Sequence, residues 1–182
     1  YSNSDWIVNN SQKIKKFPKI NSIQNIKILG DDYELIINKT PNNSVIIFEN
    51  NKKIFVNTNS LAEPHLKRIL ESRLRRLSLS LIKLEIRKII RTHPFKYNKI
   101  TVRNQKTRYG SCSSSGSLNF NWQIIFFPLP VFRHIIFHEL VHLEIKDHSS
   151  HFWQTLALYD SNWKTNNLWL KKEGPKYFII KP

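Results

Sequence analysis

The sequence predicts an α+β fold in one domain. Short apolar segments typical of β-strands come first, between residues 26 and 58, a helical pattern covers residues 61–92, and further helical patterns gather near the end of the chain. Strands and helices therefore occupy separate stretches, with little of the alternation that marks a parallel α/β sheet. A length of 182 residues, 40% of them hydrophobic, suits one domain with a sizeable core. We expect that domain to span residues 25–182, after an irregular arm over residues 1–24.

The strand-like segments between residues 26 and 58 are separated by turn signals. Their sequences read IKIL, YELIINKT, SVIIFEN and KKIFVN. Residues 30–32, 41–43 and 50–51, which stand between them, are rich in glycine, proline, aspartate and asparagine. These residue types favour turns because they tolerate or fix the necessary φ angles. We therefore predict a small antiparallel meander of strands.

Leucines recur every three or four residues from 61 to 92, which predicts a long helix. The apolar stripe consists of Leu66, Leu70, Leu74, Leu77, Leu81 and Leu84. A separate basic stripe consists of Arg68, Arg75, Arg76, Lys83, Arg87 and Arg91. Ser60 and Glu63 have the spacing of a capping box at its start, and Pro94 disfavours helical conformation in the residue before it.

Residues 99–172 form the part of the chain that carries the predicted site. One strand is predicted over residues 99–104 and another over residues 118–127, where polar and apolar side chains alternate at first. The helical patterns that follow cover residues 131–145, 149–159 and 168–172.

The net charge of +16 is concentrated in one region. Residues 61–106 contain 13 basic and 3 acidic side chains, directly before the predicted site. Such a region could bind nucleic acid or another polyanion, or it could be a solvated face of a lysine-rich protein. The sequence leaves both interpretations open.

Cysteine content and hydropathy indicate the compartment. The single cysteine, Cys112, excludes a disulfide framework and suits a reducing environment. The first residues lack the pattern of a secretory signal. The longest apolar stretch, residues 124–132, contains two prolines and is far shorter than the ~20 residues that span a bilayer. We therefore expect a cytoplasmic protein without a membrane-spanning helix.

The strongest functional signal is HELVH at residues 138–142, within a predicted helix. Four residues make about one helical turn, so His138 and His142 would project from the same face and could bind one metal ion. Glu139 would lie about 100° around the helix from His138, close enough to act on a metal-bound water without being a ligand.

A catalytic zinc site needs three protein ligands and one open position. His148 follows the predicted helix and is the natural third ligand, with His151 as the competing choice. His134 lies one turn before the motif, where it is expected to pack or to support a ligand, because ligands on three successive turns of one helix cannot easily converge.

Three segments of the chain form recognisable motifs: RNQKTRYGSCS at residues 103–113, LNFNW at residues 118–122 and HELVHLEIKDHSSHFW at residues 138–153. In these segments the chain resembles the YgjP-like predicted zinc metallopeptidases, which are related in motif to SprT-like and WLM-type proteases. The resemblance covers roughly residues 25–172, and Tyr109 stands where the family has tryptophan. The family's H-S-x-x-F-W run aligns with His148, which favours it over His151 as third ligand.

The resemblance implies a minimal zincin-like fold with one zinc ion per chain. A small sheet would lie over the helix that carries the motif, with residues 118–124 as its edge strand. A peptide or protein substrate could bind in extended form along that edge.

These observations predict a zinc-dependent hydrolase, most directly a metallopeptidase. Zinc would lower the pKa of a bound water toward about 7 and polarise the scissile carbonyl, while Glu139 acts as general base. The candidates for contacts with the transition state or the substrate are Arg108, Tyr109 and His151. One alternative is hydrolysis of a nucleotide or another phosphoanhydride by the same groups. Another is a DNA-associated SprT-like protease or nucleic-acid-binding protein that uses residues 61–106.

Overall fold

The computed structural model describes residues 19–93 and 95–178, and these residues have the predicted α+β architecture. The strands are β1 (Asn25–Ile28), β2 (Asp31–Lys39), β3 (Ser44–Phe48), β4 (Lys53–Thr58), β5 (Lys99–Arg103), β6 (Gly110–Cys112) and β7 (Ser117–Asn121). The helices are α1 (Glu63–Ile90), α2 (Leu129–Val141), α3 (Ser150–Tyr159) and α4 (Trp163–Lys172). Most of the predicted arm, residues 1–18, lies outside the described residues.

The first sheet corrects the predicted antiparallel meander. Its order is β1-β2-β4-β3, so β2 and β4 are parallel neighbours while the other pairs are antiparallel. The side chains of Ile54 and Val56 in β4 are wholly buried, whereas Ile46 and Phe48 in β3 are 43% and 45% exposed. The alternating burial of β4 matches its place inside the sheet, and the half-exposed apolar side chains of β3 match its place at the edge.

α1 confirms the predicted long helix, but its buried face departs from the predicted leucine stripe. Leu66, Leu70 and Leu74 are wholly buried, whereas Leu84 is 44% exposed. The second half of the buried face consists of Ser78, Ile82, Glu85, Ile86 and Ile89. The apolar face of a helix follows its 3.6-residue period, whatever residue type occupies each position.

The start of α1 differs from the predicted capping box. The N-cap residue is Ala62, whose amide donates a hydrogen bond to the Ser60 hydroxyl oxygen over 3.3 Å. The Glu63 carboxylate accepts a hydrogen bond from the Ile20 amide over 2.6 Å instead of reaching back to the cap. Glu63 therefore fastens the segment before β1 to the helix.

The second sheet corrects the predicted edge strand. Its order is β5-β7-β6, with β7 parallel to β5 and antiparallel to β6. The strand predicted over residues 118–127 ends at Asn121, whose side-chain oxygen accepts a hydrogen bond from the Gln123 amide over 3.0 Å and caps the buried 3₁₀ turn Trp122–Phe126. Residues 118–124 are therefore not an edge, and β6 is the edge strand beside α2.

The turn after α2 directs the chain back toward the helix. The helix predicted over residues 131–145 ends at Val141. Beyond it, His142 Nδ1 lies 2.8 Å from the Ile145 carbonyl oxygen, and Lys146 Nζ donates to the His142 carbonyl over 2.7 Å. These bonds close a turn that leads to α3, which begins as predicted after Ser149.

One large hydrophobic core joins both sheets with α1 and α2. A smaller cluster of Val141, Phe152 and Leu156 lies between α2 and α3. Within residues 19–93 and 95–178, every helix is too short or too polar to span a bilayer.

Candidate metal centre and active site

Three imidazoles converge at the end of α2. His138 lies in its last turn, His142 directly follows it, and His148 lies in the connection to α3. Nε2 of His148 is 3.1 Å from Nε2 of His138 and 3.1 Å from Nε2 of His142. The candidate ligand atoms all lie within 4.8 Å of one another, so within the described residues this cluster could hold a metal ion.

The surroundings of these imidazoles disfavour their charged form. Burial lowers the pKa of His138 well below its ordinary value, and the neighbouring imidazoles lower it further. Burial also lowers the pKa of His142 and of His148. Because the Ile145 carbonyl can only accept, His142 Nδ1 carries the proton and Nε2 directs its lone pair at the other rings. Neutral imidazole with its second nitrogen donating to a carbonyl is the form in which histidine binds zinc, so the donor set fits this metal.

Aromatic rings hold His148 against α2. The Phe152 ring centroid lies 4.9 Å, 4.5 Å and 4.9 Å from those of His138, His142 and His148. Trp153 stacks on His148 at 5.7 Å and donates from its indole nitrogen to the His148 carbonyl over 3.1 Å. The third imidazole is therefore positioned from two directions, by its ring and by its backbone.

Glu139 is buried between α2 and β6, with 5% of the residue exposed. A Cβ added to Gly110 would lie 2.5 Å from Oε1 of Glu139, so glycine is required for this close approach. Oε2 of Glu139 has no hydrogen-bond partner among the described residues. Burial raises the pKa of Glu139 to about 8, and the charge of Arg108 opposes the rise. A carboxyl group whose pKa is near neutral pH can exchange a proton with a group in the cleft.

His134 and Asp160 form a buried pair that supports α2. His134 is 2% exposed, and its Nδ1 lies 2.7 Å from Oδ2 of Asp160. Asp160 also accepts hydrogen bonds from the Asn162 amide over 3.1 Å and from the Asn166 side-chain amide over 3.1 Å. The pair ties the helix that carries HELVH to the turn between α3 and α4.

A cleft of about 610 Å³ opens over the imidazoles and Glu139. Arg108 and Tyr109 line it, as do Lys146 and Lys171. The Tyr109 hydroxyl donates to the Leu170 carbonyl over 3.4 Å. His151, the third predicted contact, is exposed in the first turn of α3 and does not appear among the described residues that line the cleft.

Three residues of the site are absent from the sequence-based prediction. Gly110 carries the one usable signal, because a glycine inside a strand often marks close approach of another group. Lys146 and Asp160 carry none, because their partners are fixed by the turn after α2 and by the packing of α2 against the residues around α4.

The sequence profile described as YgjP-like, metallopeptidase domain matches residues 1–173 of the chain. Among solved structures, the chain is similar to the metallopeptidase zymogen jannalysin of Methanocaldococcus jannaschii, at 24% identity and a TM-score of 0.42. That alignment covers 48% of this chain and 90% of jannalysin. No curated protein sequence matches the chain.

Proposed function

We propose that this chain, which belongs to the YgjP-like metallopeptidase family, hydrolyses peptide bonds with one zinc ion held by His138, His142 and His148. The observation that carries the proposal is the convergence of three imidazole Nε2 atoms beside one buried carboxylate. Together with β6 above α2, this arrangement supports a zincin-like site.

When bound, the zinc ion would supply Lewis-acid chemistry, making a water more acidic and the scissile carbonyl more electrophilic. Glu139 would accept the proton of the attacking water and return it to the leaving amine. The burial of Glu139 against Gly110 supports this role, because it fixes the carboxylate next to the imidazoles while Oε2 has no hydrogen-bond partner in the described part of the chain.

The substrate would bind in extended form along β6, the edge strand that forms one wall of the cleft. Of the predicted contacts, Arg108 has the strongest support, because it is exposed in the cleft and its charge acts on Glu139. Tyr109 contributes shape, since its hydroxyl is directed at Leu170 and its ring packs on Phe127 at 5.3 Å. His151 stays a prediction.

Metal content and peptide hydrolysis test the proposal together. The purified protein should hold about one zinc ion per chain, and His142→Ala should lose it. Glu139→Gln should retain the zinc and lose about 100-fold or more in kcat/KM, the contribution expected of a general base. A native protein that binds no zinc, or a fully active Glu139→Gln variant, would contradict the mechanism.

A second candidate activity is hydrolysis of a phosphoric anhydride. It is favoured by three cationic side chains in the cleft, Arg108, Lys146 and Lys171, which would attract a nucleotide or pyrophosphate. The zinc-loaded protein should be assayed with a nucleoside triphosphate beside the peptide substrates. Release of phosphate or pyrophosphate that is lost in Glu139→Gln would favour this candidate.

We also propose that α1 binds nucleic acid through its basic stripe. Arg76, Lys83 and Arg87 are exposed, and among the described residues none of them forms an ion pair with a carboxylate. Titration of labelled duplex DNA at several salt concentrations tests this proposal. Replacement of the three by glutamine should reduce the slope of log affinity against log salt by about 3, at about 0.9 per phosphate contact. Lys172→Gln, exposed on α4, is the matched control and should leave the slope unchanged.

A further inference from the structure

The cleft over Glu139 carries an unbalanced charge. Its described lining includes three cationic side chains, Arg108, Lys146 and Lys171, and a single carboxylate, Glu139. None of the three cations forms an ion pair with a described carboxylate, so no such pair offsets their charge at the cleft.

Two of these cations stand at opposite ends of β6. Arg108 precedes the strand by two residues, and Lys146 Nζ lies 3.9 Å from Sγ of Cys112, its last residue. Glu139 contacts the strand at Gly110. Because a strand advances about 3.3 Å per residue, a peptide laid along β6 would present the side chains on either side of its reacting bond to these two cations.

We propose that the cleft selects peptides with an acidic residue within about two positions of the cleaved bond, and that Arg108 and Lys146 determine this specificity. The inference rests on the proposed peptidase function and names its substrate class. Lys171, on α4, adds to the positive potential without a place along the strand. The ion pairs between substrate and cleft would be exposed to solvent, so each would change kcat/KM by a factor of up to about five.

Fluorogenic peptides test the specificity. The set shares an alanine-based core in which glutamate, glutamine or lysine replaces each core position in turn. The measured quantity is the ratio of kcat/KM for the glutamate peptide to that for the glutamine peptide at each position. For the zinc-loaded native protein we expect a ratio of about two to five at one or two positions, and a ratio near one at about 0.5 M salt because of screening.

Arg108→Gln and Lys146→Gln should each lower this ratio severalfold, at different positions of the peptide. A ratio is used because it cancels any general loss of activity, and zinc content is measured in each variant since Lys146 donates to the backbone of His142. Lys88→Gln, an exposed lysine paired with Glu85 on α1, is the matched control and should leave the ratio unchanged. Ratios at or below one in the native protein, or ratios unchanged in both cleft variants, would overturn the inference.

Binding separates this inference from the proposed function. Fluorescence anisotropy measures the affinity of zinc-loaded Glu139→Gln for the same glutamate and glutamine peptides. If the native protein cleaves no peptide, the proposed peptidase function fails, and the affinities alone decide the specificity. Tighter binding of the glutamate peptides, reduced by Arg108→Gln, would then support the inference, and equal binding would overturn it.

Discussion

Gly110 and Glu139 show how closely one residue can constrain another across the site. The missing side chain of Gly110 is the space that the Glu139 carboxylate fills. The contact joins β6 to α2 at the position where proton transfer is proposed. A side chain at position 110 would clash with the Glu139 carboxylate, which is buried and has little space to move away.

Gly110→Ala should therefore displace the Glu139 carboxylate while leaving the imidazoles in place. We expect kcat/KM for peptide hydrolysis to fall at least about 10-fold, because misplacing a catalytic group by about 1 Å can cost 100-fold. Zinc content should stay near that of the native protein. Ser72→Ala, an exposed position on α1, provides the control for handling of the variants. Full activity in Gly110→Ala would show that Glu139 tolerates a shift.

Asp160 gives the stability of the protein a dependence on pH. Burial acts to raise its pKa, but hydrogen bonds from His134 and Asn166 hold the pKa below its ordinary value. A carboxylate with a lowered pKa in the folded state stabilises the protein above its unfolded pKa of about 3.9, and this stabilisation is lost as the pH falls through the folded value.

Asp160→Asn should accordingly destabilise the metal-free protein most at neutral pH. We expect its free energy of unfolding in urea to be about 1–3 kcal/mol lower than that of the native protein, since a charged hydrogen-bond partner of His134 is lost. The difference should shrink as the pH is lowered below about 4. A difference that stays constant over this range would mean that the ionised form of Asp160 is not what stabilises the fold.

At the scale of elements, α1 and the strand β7 show what local patterns predict. The length of α1 follows from its residues, because helical periodicity is a property of neighbouring positions. Its buried face departs from the predicted leucine stripe, because Ile82 is buried and Leu84 is exposed. Which of these side chains is buried depends on packing against other elements. The end of β7 depends on a single cap at Asn121, and an apolar run continues past it, so the sequence predicts too long a strand.

Ile82 and Leu84 provide a matched pair that tests the orientation of α1. Ile82→Ala removes a wholly buried side chain and should lower the free energy of unfolding by about 2–5 kcal/mol. Leu84→Ala removes a side chain that is 44% exposed and should lower the free energy of unfolding by at most about 1 kcal/mol. Urea unfolding followed by circular dichroism measures both. The reverse order would place the leucine stripe in the core and contradict the observed face.

At the scale of the whole molecule, the features that the sequence predicts are those determined by residues close together along the chain. The α+β order, the long helix and the candidate ligands His138, His142 and His148 each depend on a short stretch of chain. The order of strands in both sheets, the edge position of β6 and the contact of Gly110 with Glu139 depend on segments far apart in sequence. Periodicity and spacing carry no information about such pairings.

The candidate metal centre adjoins the smaller hydrophobic cluster at one end of α2, which predicts the effect of removing metal. The core joins both sheets with α1 and α2, whereas the imidazoles contact the small cluster that contains Phe152. Chelation should therefore preserve the far-ultraviolet circular dichroism and lower Tm, because a ligand that binds the folded state stabilises it. Hydrogen exchange should accelerate mainly over residues 142–149. Complete unfolding on chelation, as in a zinc finger, would contradict this expectation.

Because the three imidazoles are close together along the chain, the affinity of the site for metal and its catalytic chemistry depend on different segments. His138, His142 and His148 lie within one helix end and the turn that follows it, so bringing them together requires closing only a short loop, at a small cost in chain entropy. Glu139 depends on a partner from a distant strand. Substitutions in β6 can therefore alter the chemistry of the site while the affinity for metal is kept, so variants with new reactivity can be sought there without rebuilding the ligand set.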